Sequence, residues 1–177
     1  MRALCYTVLS THGSGVLCDV FLYGESLMPR VECSIIINGP VDKVYECAKD
    51  VESFPEYMPD VKEVRILERD GSRVVSQWTA SIPEFGMTIK WSEEDLWDDQ
   101  AMTCDFRLVK GDYAAYSGKW TFTEVDGGAR FDSIVDYEYD VPLIGPLIQG
   151  LVQRKVKENV DKILEAVKKR VERIADC

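Results

Sequence analysis

The stretch 146–175 constrains this chain more than any other. Apolar residues fall at Leu147, Ile148, Leu151, Val152, Val156, Val160, Ile163, Leu164, Val167, Val171 and Ile174, a helical repeat sustained for about eight turns. A single helix of that length extends about 45 Å. Its other face carries Arg154, Lys157, Glu158, Asp161, Lys162, Glu165, Lys168, Lys169, Glu172 and Arg173, which suits water. Gly145-Pro146 marks the start, where a proline is tolerated because the first helical N–H has no partner within the helix. An apolar stripe this long must be covered, so the remainder of the chain has to supply a surface for it.

That surface reads as a sheet. Residues 31–38 (VECSIIIN) are β-branched and begin by alternating, the mark of a strand, and Gly39-Pro40 ends it. Val41, Val44, Tyr45 and Ala48 then come at helical spacing. A second short helical piece, 51–58, contains Pro55 and closes at Pro59-Asp60. From Val61 the period becomes two, predicting strands at 61–68, 73–81, 87–97, 101–110, 114–124 and 129–139. The breaks between them are turn signals such as Asp70-Gly71 and Asp126-Gly127-Gly128. Links this short join antiparallel neighbours. The expected fold is α+β: a curved seven-stranded antiparallel sheet around one long C-terminal helix, with two short helices after the first strand.

Length and charge narrow the function. A chain of 177 residues suits one domain with its own core. With 31 acidic and 21 basic residues the net charge is −10, a surface that repels phosphate backbones, so a nucleic-acid partner is not expected. No run approaches the ~20 apolar residues of a membrane span, so integral membrane association is not expected either. The six cysteines form no C-x-x-C pair and the single histidine, His12, lies outside the strand and helix pattern, which argues against zinc. The cysteines read as reduced structural thiols in a cytoplasmic protein. Residues 1–27 do not share the pattern of the rest of the chain: short apolar pieces alternate with Thr11, His12, Gly13, Ser14 and Gly15. They are expected to be an N-terminal extension, flexible or loosely docked, with Met28 as the natural start and residues 28–177 as the domain.

Strand alternation nominates the residues that face the helix. The expected ligand-binding set is Ser76, Trp78, Ile89, Trp91, Cys104, Phe106, Tyr116, Trp120, Ser133 and Tyr137, with Leu151 from the helix. Buried hydroxyls and indole N–H groups need partners from protein, water or ligand, and an aromatic concavity with a few hydroxyls is the usual make-up of a small-molecule pocket. The alternative is a solid core whose polar groups satisfy one another. In the acidic run Ser92-Glu93-Glu94-Asp95, alternation puts Glu93 beside Trp91, where a buried carboxyl would have a raised pKa and carry a proton. The preferred reading is that the strand leaves the core there and its acids are solvated. Arg65, Arg73 and Arg107 fall on outward registers. No Gly-rich phosphate loop, nucleophile elbow or Ser/His/Asp set is present, and no cofactor is expected.

The order of elements, with the segments VDKVYECAKDVESFPEYMPDVKEVRILERDG, WSEEDLW, GDYAAYSGKWTFTEVDGG and DYEYDVPLIGPLIQGLV, resembles the START-like (SRPBCC) superfamily. Within it the likeness is to the polyketide cyclase/dehydrase and coenzyme Q-binding START branch, over about residues 30–175. The resemblance implies the helix-grip fold and binding of a hydrophobic small molecule (lipid, quinone or polyketide-like) between sheet and helix, with access through the loops at 83–86, 110–113 and 141–146. A second implied function is that of aromatase/cyclases, which fold a poly-β-ketone and assist aldol closure and dehydration with an interior arginine among tyrosine, serine and tryptophan groups. Trp78, Ser76 and the tyrosines stand where such groups would, without an inward arginine. A third is that of the ribosome-association toxins of the same branch, against which the acidic surface argues. Neither ligand identity nor oligomeric state is legible at this level.

Overall fold

The computed structural model describes residues 17–21, 29–82, 86–112, 115–138 and 146–175. In chain order the elements are β1 (Leu17–Phe21), β2 (Arg30–Ile37), α1 (Val41–Lys49), a 3-10 helix (Val51–Glu56), β3 (Val61–Asp70), β4 (Arg73–Ile82), β5 (Met87–Asp98), β6 (Thr103–Gly111), β7 (Ala115–Val125), β8 (Gly128–Glu138) and α2 (Pro146–Ala175). The strands make one antiparallel sheet in the order β1-β2-β8-β7-β6-β5-β4-β3. The hairpin-linked run β3 to β8 is a meander, and β2 closes against β8. The expected curved sheet, long C-terminal helix and two short helices all form.

Two features were not anticipated. The sheet has an eighth strand, because residues 17–21 pair with the edge of β2, Val20 opposite Val31 and Cys18 opposite Cys33. Five residues are too short a window for period-two alternation to stand out; the free edge of β2 supplies the hydrogen bonds that select the strand. The second feature corrects the expectation of uniformly reduced cysteines. Cys47 and Cys104 are buried free thiols, whereas Cys33 is disulfide-bonded.

The concave face of the sheet receives α2. Val160, Leu164, Val167 and Val171, one face of that helix, are all buried. They meet a dry floor of Val31, Ile35 and Ile37 from β2, Phe131 from β8 and Val44 and Ala48 from α1. Phe122 and Phe131 stack with centroids 4.5 Å apart, and the Tyr45 ring stands edge-on to both Trp97 and Phe122 at 5.4 Å. Polar contacts fix the helix at its C-terminal half. Arg170 pairs with Asp50 and Ser53 and lies 5.1 Å from the Tyr57 ring centroid. Lys168 donates to the Ile36 carbonyl at 2.9 Å, and Glu172 accepts from the Asn38 N–H at 3.1 Å. Gly39 lets the helix in: a Cβ there would stand 2.6 Å from Val171 Cγ1.

The convex face is polar and ion-paired. Arg30 forks onto Asp136 with two 2.7 Å contacts, joining β2 to β8. Glu94 is covered by Arg73 and Arg107, each 2.5 Å away, and Arg65 pairs with Glu63 at 2.6 Å. The arginines of the outward registers are thus engaged in salt bridges. Leu164 anchors the helix at 0 % exposure, so Leu164→Ala is expected to lower stability by about 2–5 kcal/mol, the range for truncating a fully enclosed leucine. Chemical denaturation of both proteins measures this; a loss below about 1 kcal/mol would contradict a helix gripped at that position.

Candidate functional site

Before its anchored C-terminal half, α2 stands over a hollow. Val156, Asn159, Val160 and Ile163 form the roof of a cavity of about 180 Å3. Its walls come from five consecutive strands: Trp78 on β4, Trp91 and Glu93 on β5, Phe106 on β6, Ala115, Tyr116 and Trp120 on β7, and Ser133, Val135, Tyr137 and Glu138 on β8. Larger grooves of about 450 and 490 Å3 lie on the convex face and beside the 3-10 helix. Charged side chains line both, so neither resembles a site for an apolar molecule.

Of the eleven residues expected to contact a ligand, seven surround this space: Trp78, Trp91, Phe106, Tyr116, Trp120, Ser133 and Tyr137. Ser76, Ile89 and Cys104 face inward but do not line it. The Ser76 hydroxyl accepts the Trp78 indole N–H at 2.8 Å, so that pair is satisfied inside the protein. Cys104 is fully buried behind the wall, and burial raises its thiol pKa far above the usual range. Leu151 belongs to the first turns of α2, whose side chains lie outside the described residues, as do most of the loops expected to give access, 83–85, 113–114 and 139–145.

The aromatic wall has two parts. Trp78 and Trp91 are cross-strand partners, stacked at 5.6 Å with planes 11° apart, and Phe54 braces Trp78 from behind at 5.7 Å. Phe106 links Tyr116 at 6.4 Å to Trp120 at 5.4 Å. Between the two parts sits Glu93. The expectation of solvated acids fails here: Glu93 and Asp95 point inward with Trp91 and Trp97, and only Glu94 and Leu96 alternate to the outside. The strand does not leave the core at Ser92, because β6 accommodates it with a bulge. Glu93 pairs with Leu108 while Ser92 pairs with Lys110, leaving Val109 as the extra residue. Gly111, at φ 152°, makes the close approach next to it; a Cβ on it would lie 2.5 Å from the Trp91 Cα.

The Tyr116 hydroxyl donates to Glu93 at 2.5 Å. Burial raises the Glu93 pKa to about 7, partly offset by hydrogen bonds from Tyr116 and Asp95. Asp95, 2 % exposed, is held well above the ordinary range by burial first and then by the neighbouring Glu93 charge. Two neighbouring carboxyls withdrawn from water in this way both favour the protonated form. Across the cavity the Ser133 hydroxyl is 99 % enclosed, and it has no hydrogen-bond partner among the described residues. No lysine, arginine or histidine lines the cavity among the described residues, and no group of metal-ligating side chains occurs among them. Sequence reasoning also missed Asn159 and Glu138, exposed residues that border the cavity only through the placement of α2 over the sheet.

Residues 37–164 match the family described as polyketide cyclase/dehydrase and lipid transport. The ribosome association toxin RatA of Escherichia coli (strain K12) is 26% identical over 141 residues, 79% of this chain and 87% of that protein. The crystal structure of TTHA0849 from Thermus thermophilus superposes with a TM-score of 0.77 at 33% identity, covering 82% of this chain and 99% of that one. The Zhui aromatase/cyclase from Streptomyces sp. R1128 superposes at 0.75 with 20% identity, over 82% of this chain and 94% of its own.

The geometry carries two expectations. Trp78 is 4 % exposed and packed between Phe54 and Trp91, so Trp78→Ala should cost about 3–5 kcal/mol; an unchanged denaturation midpoint would remove Trp78 from the core. The second concerns pH. Glu93 and Asp95 hold protons more tightly folded than unfolded, so their contribution is complete below the ordinary carboxylate range and is lost as pH rises from there through the raised folded values, about 7 for Glu93. Glu94 and Asp99, held low by Arg73 and Lys49 respectively, act with the opposite sign, below about pH 4. Thermal unfolding should therefore show a higher midpoint at about pH 5.5 than at about pH 8, and Glu93→Gln should shrink the difference. A wild-type midpoint higher at the alkaline end would contradict a buried Glu93.

Proposed function

The chain belongs to the polyketide cyclase/dehydrase and lipid transport family, and on that premise we propose that it holds a hydrophobic, ring-bearing small molecule in the cavity beneath α2. The family and its START-like neighbours support hydrophobic-ligand binding or a cyclase role. The observation that carries the binding reading is the wall itself: aromatic rings from successive strands around one pocket, under a helix whose apolar stripe continues over it. Lipid, quinone and polyketide-like skeletons all present faces to such rings. Binding would draw on apolar area removed from water, at roughly 25 cal/mol per Å2, and one ordered pocket suits a carrier as well as an enzyme.

Cyclase/dehydrase chemistry is the second reading, and Glu93 is what favours it. A carboxyl with a pKa near 7 at the wall of the cavity is suited to moving a proton to or from a bound ketone. The interior arginine that the resemblance led us to look for has no counterpart among the described cavity residues, with Arg73 and Arg107 committed to Glu94 on the other face. A ribosomal role, as in the name of the Escherichia coli relative, would require a chain of net charge −10 to approach RNA.

Mass spectrometry of an organic extract from the purified protein tests the binding reading. A stoichiometric quinone, lipid or polyketide is the expected result, and turnover is then measured with that molecule. Val156→Phe, which projects a ring into the cavity from α2, should reduce the recovered amount at least about tenfold while costing about 1–3 kcal/mol of stability. Full recovery from that variant would place the ligand elsewhere.

A further inference from the structure

The cavity holds a carboxyl group with no cationic side chain beside it among the described residues. Glu93 lines it, Asp95 lies directly behind, and the described residues of the wall include no lysine, arginine or histidine. Among the described residues the groups that face Glu93 are acidic or neutral: Tyr116 from β7 and Asp95 from its own strand, with Cys104 of β6 near enough for Glu93 to raise its pKa. Tyr137 and Glu138 of β8 and Asn159 of α2 complete the polar lining. The second observation is independent of the acids. Ser133 Oγ is buried on the opposite wall without a hydrogen-bond partner among the described residues, a polar atom directed at cavity space.

We propose that Glu93, oriented by Tyr116, selects the ligand: the cavity takes an apolar ring-bearing molecule that presents a hydrogen-bond donor to Glu93, a hydroxyl or an ammonium, and rejects one that presents an anion there. This rests on the binding reading above and narrows it. Two physical points support it. A carboxylate is an acceptor only, so it is completed by a donor. An anionic head group placed against it meets no counter-charge among the described lining residues, and like charges at close range repel. Simple fatty acids, entering head first, fall in the rejected class; phenols, enols, sterol-like alcohols and amines fall in the accepted one.

The Tyr116 contact makes the selectivity adjustable. Its O–H favours the charged form of Glu93, so Tyr116→Phe lets the carboxyl stay protonated to higher pH. A protonated Glu93 is itself a donor and tolerates an anion, which weakens the selection.

Naphthalene, 2-naphthol, 2-naphthylmethylamine and 2-naphthoate share one skeleton and differ in the group offered. Their affinities are measured by calorimetry at about pH 8 and about pH 5.5, for the wild type, Glu93→Gln and Tyr116→Phe. The wild type should bind naphthol or the amine at least about tenfold more tightly than naphthoate at the higher pH, and the gap should narrow at the lower one. The stronger of the two donors tells whether the natural group is a hydroxyl or a cation. Glu93→Gln should bring naphthoate up towards naphthalene, and Tyr116→Phe should shift the onset of discrimination to higher pH without abolishing it. If Glu93→Gln does not fold, the Tyr116→Phe shift alone decides. Equal binding of naphthol and naphthoate by the wild type, or discrimination unchanged in both variants, overturns the inference while leaving the binding reading in place. Binding of none of the four, naphthalene included, overturns both.

Discussion

Everything in this molecule depends on how α2 shares its apolar stripe between two surfaces. Leu164, Val167 and Val171 are inserted into a dry floor of β2, β8 and α1 side chains. Val156 and Ile163 continue the same stripe over a cavity. The C-terminal half is also where the polar anchors gather, Arg170 on Asp50 and Ser53, Lys168 on Ile36, and Glu172 on Asn38. Stability is thus concentrated away from the hollow, and the hollow is left with few contacts to lose when a ligand enters.

The same division explains which aromatic residues are structural and which face the cavity. Tyr45, Phe122 and Phe131 interlock under the anchored half and have no free surface. Trp91, Phe106 and Tyr116 lie under the part that roofs the cavity and line the space. Trp78 and Trp120 belong to both, buried in the core on one side and open to the cavity on the other. Into this apolar setting the β5 strand places two carboxyls at alternate positions. Outside, the acid at Glu94 is fully compensated by Arg73 and Arg107. Inside, Glu93 and Asp95 have one tyrosine and each other, and their proton affinity rises accordingly. Three consecutive acids in one strand thereby hold opposite electrostatic states.

Much of the fold was legible because its signals are local and repeated. The 146–175 stripe spans eight turns, and the strand alternation recurs six times between Asp/Gly-rich turns, so chance matches are improbable at that length. The short strand 17–21 was not legible as part of the sheet, since what makes it a strand is the free edge of β2 some ten residues on. Seven cavity residues could be nominated from alternation alone because the sheet's inner face is set by register. Ser76 and Trp78 could be placed inward by the same rule, but not the fact that they satisfy each other.

What the sequence determined by itself is therefore the set of elements, their order, and which side of each strand turns to the helix; periodicity encodes all three, and each depends only on near neighbours in the chain. What the tertiary structure alone decided is where along the helix the hollow lies, which inward residues then border space rather than protein, and that Glu93 stays inside. The bulge at Val109 and the missing Cβ of Gly111 keep the acid facing the cavity. Both act between strands separated in sequence, where packing and hydrogen-bond register, not local pattern, set the outcome.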